Sequence, residues 1–433
     1  MVNFSKVDIV NPKMKRVQNG WEEFFPYYAG YSDVFARGII NSAGLSHDSI
    51  VLDPWNGSGT TTSIADELGI SSIGMDINPV MIIVARARSL AASEADALRP
   101  LALEILRRAR ENRSICSDSD QLLCWFDKST ANCIRSIEES IRAKLVGSMT
   151  LTECGTKFEN ISGIAATYYV VLFNLTKNLA RNFQSSNPTW LRKPKEESEK
   201  VSVLSSTIFE QFLVKIESMS LALTTKAKSQ LNEKNTIVTR LCDSTESLGL
   251  KESIDLVLTS PPYCTRIDYT AATRIQLAVL SPLLNCTVEE LSRSMIGSIK
   301  VPKSHIDLSE DWGKLCIDFL NRLKAHPSKA SSGYYFKSHT DYFSKLSKSI
   351  ANVAESLKIA GGAVFVVQDS FYKEIHNDVP SVIVEMAERN GLKLQRRENF
   401  EVVKSMSLIN ARAAASKSSR RNIESVLCFE KLY

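Results

Sequence analysis

Ile50-Val51-Leu52-Asp53-Pro54-Trp55-Asn56-Gly57-Ser58-Gly59-Thr60-Thr61 decides the architecture of this chain. A short apolar run ends on an acid and enters a turn with glycine at alternate positions. Such a turn carries little side-chain bulk, so a ligand can reach the backbone at the carboxyl edge of a sheet. A helix predicted from Thr61 to Leu68, stopped by Gly69, aims free N–H groups into the same crevice. The next strand, Ser72 to Asp76, ends on a second acid 23 residues past Asp53, suited to both hydroxyls of a ribose. Asp243, closing a later run from Thr236, is suited to the amino group of an adenine.

Outward from this stretch, β-rich runs recur at 254–258, 362–368, 392–403 and 423–429, and helical periodicity marks 78–92, 342–358 and 378–390. Strands alternating with helices predict an α/β fold with a mostly parallel, covered sheet. The last two runs have no helix between them and predict a terminal antiparallel hairpin. Residues 91–235, largely helical in pattern, and 270–345 exceed any normal crossover and read as insertions. The chain thus divides into 1–90, a helical stretch 91–235, and 236–433 carrying the 270–345 insertion.

Thr259-Ser260-Pro261-Pro262-Tyr263 directly follows the run 254–258. Exocyclic amines of cytosine and adenine are poor nucleophiles because the nitrogen lone pair is delocalised into the ring. A site that accepts hydrogen bonds from the amino group restores that lone pair. The Ser260 hydroxyl and the Pro261 carbonyl are the candidate acceptors. Pro261 and Pro262 stiffen the loop and remove competing donors, and Tyr263 offers a flat face for a base rotated out of a duplex.

These two segments together resemble the S-adenosylmethionine-dependent DNA amino-methyltransferases of the cytosine-N4 and adenine-N6 family. DPWNGSGTT is similar to that family's DPFxGSGTT motif, with Trp55 in place of phenylalanine, and TSPPY is similar to its catalytic motif. The resemblance implies a Rossmann-like class I methyltransferase sheet and S-adenosylmethionine as cofactor. It implies contacts from Asp53, Trp55, Gly57, Gly59, Thr60, Asp76, Asn78, Asp243 and Thr259. Phe25-Pro26-Tyr27-Tyr28-Ala29-Gly30-Tyr31 looks like the family's N-terminal element and adds Tyr28. Serine at the first catalytic position goes mainly with cytosine N4, so the expected reaction methylates that nitrogen in a flipped-out cytosine of double-stranded DNA. Restriction–modification or phage defence is the expected setting, with a cognate nuclease or defence partner. Adenine N6, RNA, or a non-catalytic nucleic-acid scaffold are the alternatives. The order, cofactor motif first, is the reverse of that in many relatives with this catalytic motif and leaves the recognition region open. Carbon-5 methylation is disfavoured, since it needs a cysteine in a Pro-Cys context and Cys264 follows the tyrosine.

A net charge of +5 argues for nucleic acid only where it clusters. Residues 160–195 hold Lys177, Arg181, Arg192, Lys193 and Lys195 without an acid, interleaved with Tyr168, Tyr169, Phe173, Phe183 and Trp190. Tyr168 to Leu175 reads as packed helix, which leaves 182–195 as the better contact candidate. A second basic stretch, 404–421, contributes Arg412, Arg420 and Arg421. The nine cysteines have no paired or metal spacing, so no metal site is expected. No signal-like leader or long apolar stretch stands out, and a cytoplasmic protein without membrane contact is expected.

Overall fold

The computed structural model describes residues 2–14, 21–26, 30–147, 150–152, 155–185, 191–225, 235–264, 269–301, 306–402 and 422–433. Seven strands form the main sheet: β1 Ile50–Asp53, β2 Ser71–Asp76, β3 Ile237–Leu241, β4 Ile254–Thr259, β5 Leu357–Gln368, β6 Leu392–Val402 and β7 Asn422–Lys431. Their spatial order is β6-β7-β5-β4-β1-β2-β3. The first five run parallel, and β7 is antiparallel to both β5 and β6. This is the expected α/β sheet with its closing hairpin. β3 stops at Leu241, which places Asp243 in the loop beyond it.

The helices used below are α1 Asp33–Ser42, α2 Thr60–Glu67, α3 Pro79–Arg88, α4 Ala95–Glu111, α5 Lys128–Leu145, α6 Gly163–Leu179, α7 Ser205–Thr225, α8 Arg274–Val279, α9 Lys314–Ala325, α10 Phe336–Ser356 and α11 Val379–Arg389. The period of two along each strand decides which layer its residues meet. Val51, Leu256, Leu258, Val364, Val366 and Val426 pack with Val2, Phe4, Val7, α1 and α2. Their neighbours Leu52, Ile73, Val257, Phe365 and Leu427 pack with α9, α10 and α11. Arg396 donates to the carbonyls of Phe4 and Val7, fixing the N-terminal segment over the hairpin.

The helical stretch is built onto the sheet's own helix. Val80 and Ile83 of α3 share one apolar cluster with Ile105, Ile134, Tyr168, Phe173, Phe212 and Ile275. Arg135 locks α5 to α8: its guanidinium pairs with Asp120 and Glu138 and donates to the carbonyls of Ala278 and Val279. Tyr168 and Tyr169 are wholly buried here, so these aromatics are core, as the helical pattern predicts. α10 serves as the crossover into β5. The preceding insertion splits, with α8 joining the helical cluster and α9 packing against the sheet.

Candidate active site

In an open α/β sheet the ligand crevice lies where the strand order reverses. From β1 the chain runs outward through β2 to β3, then returns to place β4 on the other side of β1. The crevice therefore opens between the carboxyl ends of β1 and β4, the ends of the glycine stretch and the SPPY run. Asp53 joins them. One oxygen of its carboxylate accepts from the Thr61 hydroxyl at 2.6 Å and from Tyr31 Oη at 3.2 Å. The other accepts from the Trp55 N–H and from the hydroxyl of Thr259, 206 residues away in sequence. Burial pushes its carboxyl up from the ordinary range, and the hydroxyl and N–H donors oppose that shift. The side chains of Asp53 and Thr259 thus hold the two loops in register.

The turn after β1 needs its glycines for steric reasons. Gly57 and Gly59 have φ of 50° and 80°, and a Cβ on Gly59 would stand 3.0 Å from that of Ala85 in α3. The turn is held from below by Asp76: one carboxylate oxygen accepts from the Gly57 N–H at 3.0 Å, the other from the Asn78 N–H at 2.8 Å. Burial raises the Asp76 carboxyl to about 6, with both N–H groups pulling the other way. Asp243 turns one oxygen inward to Thr245, accepting from its N–H and hydroxyl. Asn78 caps α3 through the Val80 N–H and donates to Thr273 on the far side of the crevice. Thr60 takes a hydrogen bond from Arg88, which is itself clamped on Asp33. Trp55 leans on the α9–α11 layer, and its indole N–H has no acceptor among the described residues.

This donor set fits a nucleoside cofactor. A carboxylate oxygen has two lone pairs, so each Asp76 oxygen keeps capacity for a ribose hydroxyl after serving the turn. The outer oxygen of Asp243 keeps the same capacity, and the glycine turn supplies the narrow backbone approach.

On the other rim, the Ser260 hydroxyl donates to the Val366 carbonyl of β5 at 3.0 Å. With its proton so directed, the oxygen presents lone pairs outward, as an acceptor for an amine must. Pro261 is buried, and the Pro262 carbonyl accepts from Tyr342 Oη at 2.9 Å. The Tyr263 N–H donates to Tyr269 Oη at 3.2 Å, which orders the loop. Tyr263 Oη donates to Glu424 at 3.0 Å and accepts from Lys13 Nζ at 3.1 Å. Burial drives the Tyr263 hydroxyl far above its usual range, and the Glu424 charge adds to that. Cys264 is buried and its thiol is pushed up to about 12, so it offers no thiolate nucleophile. Sequence reasoning missed Lys13 and Glu424, which only the chain's folding brings to the crevice and which sit in no motif. Tyr31 and Thr61 lie within the quoted segments, but their hydrogen bonds to Asp53 were not foreseen.

The residues expected to meet nucleic acid divide. Arg181 and Lys193 are exposed on the helical cluster. Arg192 is exposed but already paired with Glu199 at 3.1 Å and stacked over Phe183. Tyr28, Trp190, Arg412, Arg420 and Arg421 lie outside the described residues, as does Asp268.

A family model described as DNA methylase, of the N6 and N4 type, matches residues 9–86, which contain the glycine turn and Asp76. The chain is 26% identical to the Type II methyltransferase M.BsoBI of Geobacillus stearothermophilus over 62% of its own length and 56% of that protein's. It is 21% identical to the Type II methyltransferase M.AvaI of a Nostoc species, covering 84% of this chain and 78% of the relative. A shorter match, 37% identical over 79 residues, is to the Type II methyltransferase M.MjaII of Methanocaldococcus jannaschii. Against the Geobacillus protein the match spans little more than half of the relative.

Proposed function

From the kinship of this chain with the N6 and N4 DNA amino-methyltransferases, we propose that it methylates DNA at the exocyclic nitrogen of cytosine, using S-adenosylmethionine. The observation that carries the reading is the Asp53 carboxylate, which ties the glycine turn to the SPPY strand across the β1–β4 crevice. A cofactor rim and a base rim are thereby held as one pocket. Asp76 takes the ribose hydroxyls and Asp243 the adenine amine. Trp55, Gly57 and Gly59 shape the turn around the rest of the cofactor. When bound, the cofactor supplies an electrophilic methyl group on sulfonium sulfur, a reaction that needs no metal from the protein.

The chain's own residues handle the acceptor. Tyr263 stacks on the extruded base, and Ser260 with the Pro261 carbonyl accepts the amino hydrogens, freeing the nitrogen lone pair. Alignment and electrostatics lower the barrier. A neutral hydroxyl at position 260, in place of a stronger carboxylate acceptor, favours cytosine N4 over adenine N6. Modification of the restriction–modification kind is the setting that the Type II relatives support.

Incubating the protein with labelled S-adenosylmethionine and unmethylated plasmid DNA, then digesting to nucleosides, tests the reading. The expected product is N4-methyldeoxycytidine. Label in N6-methyldeoxyadenosine would move the assignment to adenine, and label appearing only when RNA is offered would overturn the DNA reading.

A further inference from the structure

Tyr263 is assigned to the base because of its ring, yet its hydroxyl is the firmly held end of the side chain. The hydroxyl donates to a Glu424 carboxylate oxygen at 3.0 Å and accepts from Lys13 Nζ at 3.1 Å. Glu424 is wholly buried at the start of β7, opposite Gln368 at the carboxyl end of β5 in the ladder. Its second oxygen meets no donor among the described residues. Among those residues Tyr263 and Lys13 are therefore what offsets the burial of this charge, and a buried carboxylate destabilises a fold unless it is paired. A phenylalanine would stack on a base as well and would need no charge beneath it. The hydroxyl and its two partners need another reason.

Lys13 supplies one. Its ammonium has three N–H groups and meets three oxygens: the Gly30 carbonyl at 2.7 Å, Tyr263 Oη at 3.1 Å and Glu424 at 3.4 Å. The backbone around it is pinned on both sides. The Lys13 N–H donates to Asn11 Oδ1 at 2.9 Å, and the Pro12 carbonyl accepts from the Ser32 N–H at 2.8 Å. Gly30 and Ser32 flank Tyr31, whose hydroxyl reaches Asp53. Lys13 is thus fixed to the cofactor rim and grips the ring of the base rim by its far end. Pro261 and Pro262 stiffen the backbone before Tyr263 but leave its side-chain torsions free. The two hydrogen bonds at the hydroxyl set those torsions.

We propose that Lys13 and Glu424 are positioning residues for methyl transfer, holding the Tyr263 ring by its hydroxyl in the orientation that receives the extruded base. They act through the ring, and no proton moves between them. Misplacing a reacting group by about 1 Å can slow a reaction about 100-fold. Losing one of two holds on a ring that stacks on the reacting base should slow transfer about tenfold.

The inference rests on the methyltransferase reading, and the experiment separates the two. Single-turnover methylation of unmethylated plasmid DNA is measured at saturating S-adenosylmethionine and DNA for wild type, Lys13→Met, Tyr263→Phe and the double variant. Calorimetry gives the cofactor affinity of each. Lys13→Met keeps the length of the stem and removes its donors, and Tyr263→Phe keeps the stacking ring. Each should slow transfer about tenfold with cofactor affinity within about threefold of wild type. In the Tyr263→Phe background, Lys13→Met should change the rate by less than about twofold, because the hydroxyl it held is already gone. A Lys13 needed only for the fold would slow both backgrounds alike, and that result overturns the proposal. So does a rate within twofold of wild type for either single variant, or a cofactor affinity that falls as far as the rate. In each of these cases wild-type methylation stands, and the reading with it. A wild-type protein that methylates no DNA overturns both. Should Lys13→Met fold poorly because it leaves the Glu424 charge alone, Glu424→Gln is added to it. That removes the charge, keeps an acceptor for the phenol, and carries the same expectations and the same refutations.

Discussion

Asp76 carries the clearest chemical consequence of a single residue. Its carboxyl is raised to about 6, chiefly by burial. The folded protein therefore holds this proton more tightly than the unfolded chain, whose carboxyl titrates near 3.9. The resulting contribution to stability is complete below about pH 3.9 and is lost as pH rises through 6. On the proposed reading, cofactor binding runs the other way, since two ribose hydroxyls need an ionised acceptor. Affinity for S-adenosylmethionine should accordingly fall about fivefold between pH 6 and 5, and calorimetry across that range reads it directly. Asp76→Ala should weaken cofactor binding and abolish that slope. Tyr263→Ala should do the opposite, cutting turnover far more than cofactor affinity, because its ring is assigned to the base. Equal effects of both variants on both quantities would mean that the roles are misplaced.

At the scale of elements, the glycine turn and the SPPY strand hold each other. Thr259→Val removes one hydroxyl from a buried carboxylate and should cost about 1.5–3 kcal/mol in urea unfolding. Gly59→Ala combines a left-handed φ of 80° with a Cβ 3.0 Å from Ala85, so it should destabilise by at least about 1 kcal/mol. Most elements were legible in the sequence because strands and helices announce themselves by period: 254–258 and 378–390 differ from β4 and α11 by a residue at each end at most. The glycine turn and the SPPY run were legible for the same reason, each being continuous in the chain. The partners of Tyr263 were not. Glu424 stands 161 residues after it and Lys13 stands 250 before it. Only the antiparallel return of β7 and the draping of the N-terminal segment bring them together, and neither has a local signature. The two hydrogen bonds of the Asn78 side chain, one capping α3 and one to Thr273, were not legible either, since Thr273 lies 195 residues away.

For the whole molecule, the helical stretch and the sheet share a core through α3, so they should melt together. Excising 92–234 would strip the cover from Val80 and Ile83, both fully buried, and the expected product is an insoluble or loosely packed sheet. A soluble, cooperatively unfolding remnant would show the stretch to be an independent unit. The same stretch carries Arg181 and Lys193 on its surface. Reversing both charges should weaken DNA binding and flatten its dependence on salt by about one unit of slope per lost phosphate contact. Binding that is unchanged at every salt concentration would move recognition elsewhere. Including Arg192 should add less, because Glu199 already neutralises it. No helix among the described residues is long and apolar enough to cross a membrane.

Asp53 grips the Thr61 hydroxyl on one rim and the Thr259 hydroxyl on the other. Two compartments that lean on one anion cannot tighten independently. Whatever free energy an occupied nucleoside compartment lends to the empty one must be returned when the filling order is reversed, by thermodynamic reciprocity. On the proposed reading, the affinities for nucleoside and base are then a mutual property, set through Asp53.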